Sequence, residues 1–357
     1  MFRGADGLQN LRQNWHNLVA DQKVGGFYHL FEWYESNLAA NQDEQDFLTI
    51  GVYSGERLLA LLPLRETKRR VFGLRVRVLE FPNTEAILHD AILAPGSSPS
   101  EIVQAIRSEL SLKSGVGWDF MRLNEIPGCS LFAKRNPGSP IPLSVIHHTG
   151  YSNIFKLEQY RDFSNLLSKN FRAKLRKHTN KLRQYDDFSY DTVNTLPGLD
   201  VAFDEFLELE ASGWKSRVGQ GRGAIKLNSK KTDFYRRVLI SFSKLDGCHI
   251  HFIRVDGHPI AGAFTIIVND TCFLFKIAYD EKFAKLSPGN LLTEYLIKYY
   301  LGDSNIRFIN LISNSKWRDS WHPSKMEVVT CYVFNRSILG LLCYVLIRIK
   351  SALDSKL

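Results

Sequence analysis

The residues from Lys276 to Leu292, KIAYDEKFAKLSPGNLL, have the types and spacing of an anion-binding turn. An apolar stretch, Thr271 to Ala278, predicts a strand that ends at Tyr279-Asp280. A short basic loop follows. Ser287-Pro288-Gly289 then opens an apolar, helix-like run from Asn290 to Leu301. The first N–H groups of a helix have no intrahelical partner, and the helix dipole adds partial positive charge there. Ser287 has the chemistry of an N-cap, Pro288 suits the first turn, and Gly289 lets a ligand approach the backbone. A diphosphate-bearing ligand fits such a turn. An ordinary capped strand-to-helix connection uses the same residues, so both readings stand at this point.

Other candidates surround this turn. Leu166 to Arg183 reads as a basic helix capped by Ser168, with Phe171, Leu175 and Leu182 near one face. Arg172 and Arg176, one turn apart on it, could clamp phosphates. The basic surface would also suit nucleic acid or a membrane, but only Phe171 is available for stacking, so a single-strand surface is not expected. Val201 to Trp214 predicts an acidic helix carrying Glu205, Glu208 and Glu210. The loop Lys215 to Gly223 does not match a P-loop, and no strand precedes it.

Composition bounds the partners. The chain has 357 residues, 44% apolar and 12% aromatic, which is enough for well-formed cores. Its net charge of +9 favours anionic ligands. Five scattered cysteines form no C-x-x-C pair, which argues against a zinc site and for a reducing compartment. No metal is expected. His147-His148 and His249, His251 read as structural. The N-terminus lacks the apolar core of a secretory signal. The longest apolar run, Ile338 to Ile347, is too short to span a bilayer and predicts a buried C-terminal helix. A peripheral membrane contact is the second reading of that run, with a cytoplasmic location or the inner membrane face implied.

Two stretches look alike: Phe47 to Leu64 and Ile250 to Ile267 each read as a strand, a tight turn and a returning strand. The turns fall at Ser54-Gly55 and Asp256-Gly257. A hairpin repeated about 200 residues apart suggests two copies of one unit. The expected boundaries are 1–150 and 151–357, with Gly128 to Gly150 as linker. The first copy lacks a Ser-Pro-Gly step. The expected fold is α+β, a mixed and mainly antiparallel sheet flanked by helices, with one helical crossover.

These elements in this order resemble the GNAT N-acyltransferase superfamily, and within it the BioF2-like or CelD (BcsL)-type acetyltransferases. They resemble Fem-type transferases in having two GNAT units in tandem. The resemblance rests on Ser168 to Lys177, the pair Trp214-Lys215, Val255 to Gly262, Ala278 to Leu292, and Lys316 to Pro323 (KWRDSWHP). It covers about 165–350. It implies an acyl-CoA donor such as acetyl-CoA and transfer to an amine, including that of an amino sugar in envelope or exopolysaccharide synthesis. One departure is the poverty of glycine and arginine in Lys282 to Gly289, which puts weight on backbone N–H groups after Ser287, helped by Lys282 or Lys285, and leaves room for a carrier-protein thioester.

Direct transfer needs a polarised donor carbonyl, a deprotonated amine and a protonated thiolate. The resemblance assigns the backbone of Phe275, Lys276 and Ile277 to the donor, together with Ser287, Gly289 and Asn290. Asp280 either caps the turn or acts as general base, with Glu210 as second candidate. Tyr279 could protonate the thiolate. Lys316 resembles a late lysine of Fem-type enzymes. Trp214, Lys215, Trp317 and Trp321 are the expected acceptor-site residues. The alternatives are a Fem-like transferase using aminoacyl-tRNA and a non-catalytic basic module.

Overall fold

The computed structural model describes every residue except 21–24, 41–43, 83–84, 86, 111–116, 134–142, 214–222, 314 and 355–357. The chain forms two compact units, Ser152–Lys325 and a unit built from Met1–Tyr151 with Met326–Leu357.

The first unit begins with β1 (Phe2–Arg3), α1 (Gly4–Ala20) and α2 (Phe31–Ala40). An antiparallel meander follows: β2 (Phe47–Ser54), β3 (Arg57–Val71) and β4 (Leu74–Glu80). The β2–β3 turn is Gly55-Glu56, with Gly55 at φ +59°, one residue later than the sequence suggested. Short β5 (Ile92–Leu93) and helix α3 (Pro99–Glu109) lead to β6 (Phe120–Pro127), which pairs parallel to β4. Strand β7 (Ser144–Lys156) occupies part of the expected linker; its residues 144–151 belong to this unit.

The second unit takes residues 152–156 of β7, then α4 (Phe163–Leu166), α5 (Lys169–Leu182) and β8 (Phe188–Val193). Helices α6 (Gly198–Ser212) and α7 (Ser229–Ser243) precede a second meander, β9 (Cys248–Val255), β10 (His258–Val268) and β11 (Thr271–Tyr279). Its first turn has Asp256 and Gly257 both at positive φ, as a two-residue hairpin requires. Helix α8 (Pro288–Leu301) crosses over to β12 (Phe308–Asn310), parallel to β11. The chain then returns to the first unit with β13 (Ser324–Phe334), antiparallel to β6, and α9 (Ile338–Asp354). Met326–Leu357 thus lies outside the second half to which the sequence reading gave it, because β13 and α9 bury their apolar residues against Phe120, Val76 and Val145.

Two helices, a three-strand meander, a crossover helix and a parallel strand occur in the same order in both units. In the second, α8 buries Leu291, Leu292, Leu296 and Ile297 against Ile253, Ala261, Ala263 and Leu274. Each such side chain contributes about 1.5–3 kcal/mol, which fixes the start of α8 beside the end of β11.

The parallel pairs differ between the units. In the first, the last residues of β4 pair with β6 from Val78↔Phe120 to Glu80↔Arg122. Glu80 is buried and takes ion pairs from Arg65 (3.0 Å), Arg69 (2.5 Å) and Arg122 (2.7 Å). Burial alone would raise its carboxyl, but the bonds from Arg69 and Arg122 hold it below the ordinary value. This cluster joins the ends of the pair. In the second unit only Thr271 to Phe273, the first residues of β11, pair with β12. Past Asn310 the chain stays with β7, Leu311 N–H donating to Asn153 O at 2.9 Å.

Asp90 in the first unit gives a pH prediction. Its carboxyl accepts from Ser130 Oγ (2.7 Å) and Ala91 N–H (2.8 Å), yet burial raises it from 3.8 to about 7. A folded-state value above the unfolded one means that the folded chain holds the extra proton, so stability falls as pH rises through this window. The stability difference between Asp90→Asn and wild type should therefore grow in favour of the variant from pH 4 to about 7 and level off above. Urea denaturation at each pH measures it, and a difference independent of pH contradicts it.

Candidate functional site

The end of β11, the start of α8 and the end of β12 come together in the second unit. β11 carries a bulge at Phe275, where the register with β10 shifts between Phe264 and Thr265. Bulges bend a strand and re-aim its backbone. The Phe275 side chain is buried, 5.2 Å from the Tyr235 ring, and Lys276 Nζ lies 5.1 Å from both ring centres. Ile277 is half-buried and Tyr279 exposed. The bulge lies just past the last residue of β11 that pairs with β12, so the two strands part toward the carboxyl ends of a parallel pair, the usual ligand position in open α/β sheets.

The turn itself differs from its expected form. Asp280 caps a 3-10 turn, Glu281–Leu286, its Oδ1 accepting from Lys282 N–H at 2.9 Å. Its carboxylate is therefore held in a cap. Ser287 makes no side-chain cap bond and instead adopts the left-handed conformation (φ +51°), which reverses the chain into α8. Lys282 and Lys285 are exposed beside it.

Gly289 faces Trp317. A Cβ built on Gly289 would lie 3.8 Å from that indole, which is 40% exposed. Asn290 is a positioning residue: its Oδ1 accepts from Trp321 Nε1 at 2.9 Å and ties the 3-10 segment Lys316–Trp321 to the helix start. Trp321 is fully buried among Phe155, Phe163 and Phe171, and Tyr160 Oη donates to its carbonyl at 2.6 Å. Core packing is thus the role its surroundings show. The backbone of Lys316 lies in the 3-10 segment; its side chain, like Trp214 and Lys215, falls outside the described residues.

Arg318, which sequence reading passed over, stands at the carboxyl end of β12. It is 3% exposed. Its Nη1 donates to Leu311 O (3.2 Å) and Ser313 Oγ (2.8 Å), while Nε is buried without a partner. The guanidinium stacks 4.9 Å from the centre of Trp317. Among the described residues no carboxylate pairs with it, and burial lowers its pKa to about 10. A buried cation without an anion is costly. The only sequence signal was its place between two tryptophans, and a single arginine there has no distinctive spacing.

Three expected residues lie elsewhere. Glu210 is buried, its Oε2 accepting from Ile225 N–H at 2.8 Å. Its carboxylate pins the chain just after the α6 loop. Arg172 and Arg176 line a groove of about 470 Å³ with Arg183, Tyr190, Tyr295 and Lys298, beside the middle of α8. Tyr190 and Tyr295 stack at 4.7 Å. The two arginines are therefore set apart from Ser287 and Gly289. His251 is fully buried, bonded to Thr192 (2.8 Å), Thr265 (3.2 Å) and Tyr300 (3.0 Å), and burial pushes its pKa far down. It braces β8, β9, β10 and α8.

No curated relative matches the chain in sequence. Solved structures resemble it along nearly its whole length. The C-terminal domain (DUF2156) of a putative lysylphosphatidylglycerol synthetase from Agrobacterium fabrum is 13% identical, with 94% of this chain and 95% of that one covered and a TM-score of 0.57. L-PGS from Bacillus licheniformis is 13% identical, covering 93% and 95%, at 0.57. FemX is 10% identical, covering 92% and 98%, at 0.59. At these identities the likeness is one of fold. The family described as acetyltransferase (GNAT) domain matches residues 169–317, which include α6 to β12 and Arg318's neighbour Trp317. The stretch 169–317 is thus similar to a GNAT-type acetyltransferase domain.

Proposed function

We propose that the chain is an N-acyltransferase that moves an acyl group from a coenzyme A thioester, acetyl-CoA in the simplest case, to an amine. The observation that carries this reading is the parting of β11 from β12 after Phe273, next to the start of α8 and the buried Arg318. The residues fit such a donor. Gly289 leaves room where a side chain would reach toward Trp317. The orphaned Arg318 Nε and the Gly289 N–H at the dipole-positive start of α8 favour negative charge.

The thioester supplies an activated acyl group and a thiolate leaving group. The chain's own residues orient it. The bulged β11 backbone lies where the two strands part, and Arg318 stabilises charge that develops near the end of β12. Tyr279, exposed at the strand end, is the candidate proton donor to the thiolate. With Asp280 held in a cap and Glu210 in a backbone bond, the amine attacks in its neutral form and the proton it then releases passes to solvent water, while the thiolate takes its proton from Tyr279. The narrower BioF2-like or CelD-type assignment, and an amino-sugar acceptor in exopolysaccharide synthesis, extend this reading.

A second reading is favoured by the groove of Arg172, Arg176 and Arg183, where no described carboxylate forms an ion pair with these three and the lining Glu294 is paired with Lys298. There an aminoacyl ester on tRNA replaces the thioester, as the Fem-type resemblance suggests.

Thermal unfolding with acetyl-CoA, longer acyl-CoAs and CoA, followed by mass spectrometry of amine acceptors, tests the first reading. A donor at a hundred times its Kd stabilises by about 2.7 kcal/mol. No shift with any CoA species, together with retention of charged tRNA at physiological salt, would replace it with the second.

A further inference from the structure

Helix α9 packs by one face only. Cys343 and Ile347 enter the cluster formed by Val76, Phe120, Val145 and Phe334. The opposite face carries Ile338, Leu341, Leu342, Val345, Ile349 and Leu353 at helical spacing, all exposed, from 42% at Leu341 to 87% at Ile338. Six apolar side chains in one solvent-facing stripe about 25 Å long are far more than scattered surface residues. The expectation of a buried helix therefore held for one face alone.

The margins of the stripe are cationic. At 100° per residue, Arg348 and Lys350 fall on opposite sides of it, and both are exposed. The tip of the β3–β4 hairpin packs Val71 and Leu74 into the same cluster as α9 and exposes Phe72 by 50%. On the hairpin face turned away from Val76, Val78 and α9, Lys68 stands opposite Arg77 and Arg70 opposite Arg75, with Glu66 an acid on that same face, so these cations flank the Phe72 tip and not the α9 stripe itself. Like charges directly opposite each other destabilise a strand pair. No described carboxylate forms an ion pair with these four.

We propose that the outer face of α9, with the Phe72 tip, docks on an anionic lipid surface. An apolar stripe with cations at both margins suits the interface plane, where apolar side chains enter the acyl boundary and cations meet lipid phosphates. No described helix is long and apolar enough to cross a membrane, so α9 lies on the surface. A second copy of the chain would instead bring like charges together, on a protein of net charge +9. The proposal is independent of the acyl donor, because α9 and the β11–β12 parting belong to different units.

Flotation of the full chain with vesicles tests this. Wild type should float with phosphatidylcholine–phosphatidylglycerol vesicles, not with phosphatidylcholine alone, and less at high salt. V345E/I349E should abolish flotation. R348Q/K350Q should weaken it by about thirtyfold at low salt, and F72S should reduce it. The altered side chains face solvent, so circular dichroism and melting should match wild type. Failure of wild type to float, or wild-type flotation by V345E/I349E, overturns the proposal. Wild-type flotation by F72S removes the tip from it. Self-association that V345E/I349E abolishes, without vesicle binding, assigns the face to a second copy instead.

Discussion

Arg318→Met is expected to lose about 10²–10³ in transfer rate while its melting temperature holds or rises. The two effects separate because they have different causes. In the folded chain the guanidinium is buried, with two oxygen partners and no carboxylate among the described residues, so folding bears the cost of desolvating it. A methionine of similar length removes that cost and keeps the packing against Trp317. The transition state loses a donor at the carboxyl end of β12, where charge would develop. Arg318→Lys keeps the charge but lacks the fork geometry, and should recover only part of the rate. Steady-state kinetics and thermal unfolding on the same preparations read both effects. A variant that loses stability and activity in parallel would make Arg318 a structural residue and leave the β11–β12 parting without its cation.

Gly289 gives the second large effect. Gly289→Ala should bind donor like wild type, because its Cβ would meet Trp317 at an ordinary 3.8 Å. Removing a helix glycine should also stabilise by about 0.5–1 kcal/mol. Gly289→Trp should fold, since the neighbouring indole is 40% exposed and has space to move, yet it fills the approach to the helix start. The donor-induced rise in melting temperature, about 5–10 °C at a hundred times Kd, should vanish in this variant alone. An unchanged rise in Gly289→Trp would place the donor away from the α8 start.

Much of this site was legible in the primary structure. The strand from Thr271, the turn at Asp256-Gly257, the helix after Ser287 and the Ser168 cap on α5 all follow from local periodicity and turn chemistry, and the fold forms them nearly where expected. The helical crossover and the repeated unit were readable for the same reason. Local sequence also favoured Ser287 as a side-chain cap and left Asp280 two roles. Tertiary geometry made Ser287 a left-handed hinge and Asp280 the cap.

What the sequence determined by itself was the set of elements and their order, because hydrophobic period, glycine placement and capping chemistry act over a few residues. What only the tertiary structure decided was which of those elements meet. Pairing across long separations put β13 and α9 with the first unit, sealed one parallel pair with Glu80 and its arginines, and let the other diverge after three residues. It also buried Trp321, left Arg318 without an ion-pair partner among the described residues, and turned one apolar face of α9 to solvent. Burial and charge compensation are properties of neighbours distant in the chain, so no local pattern of residues encodes them.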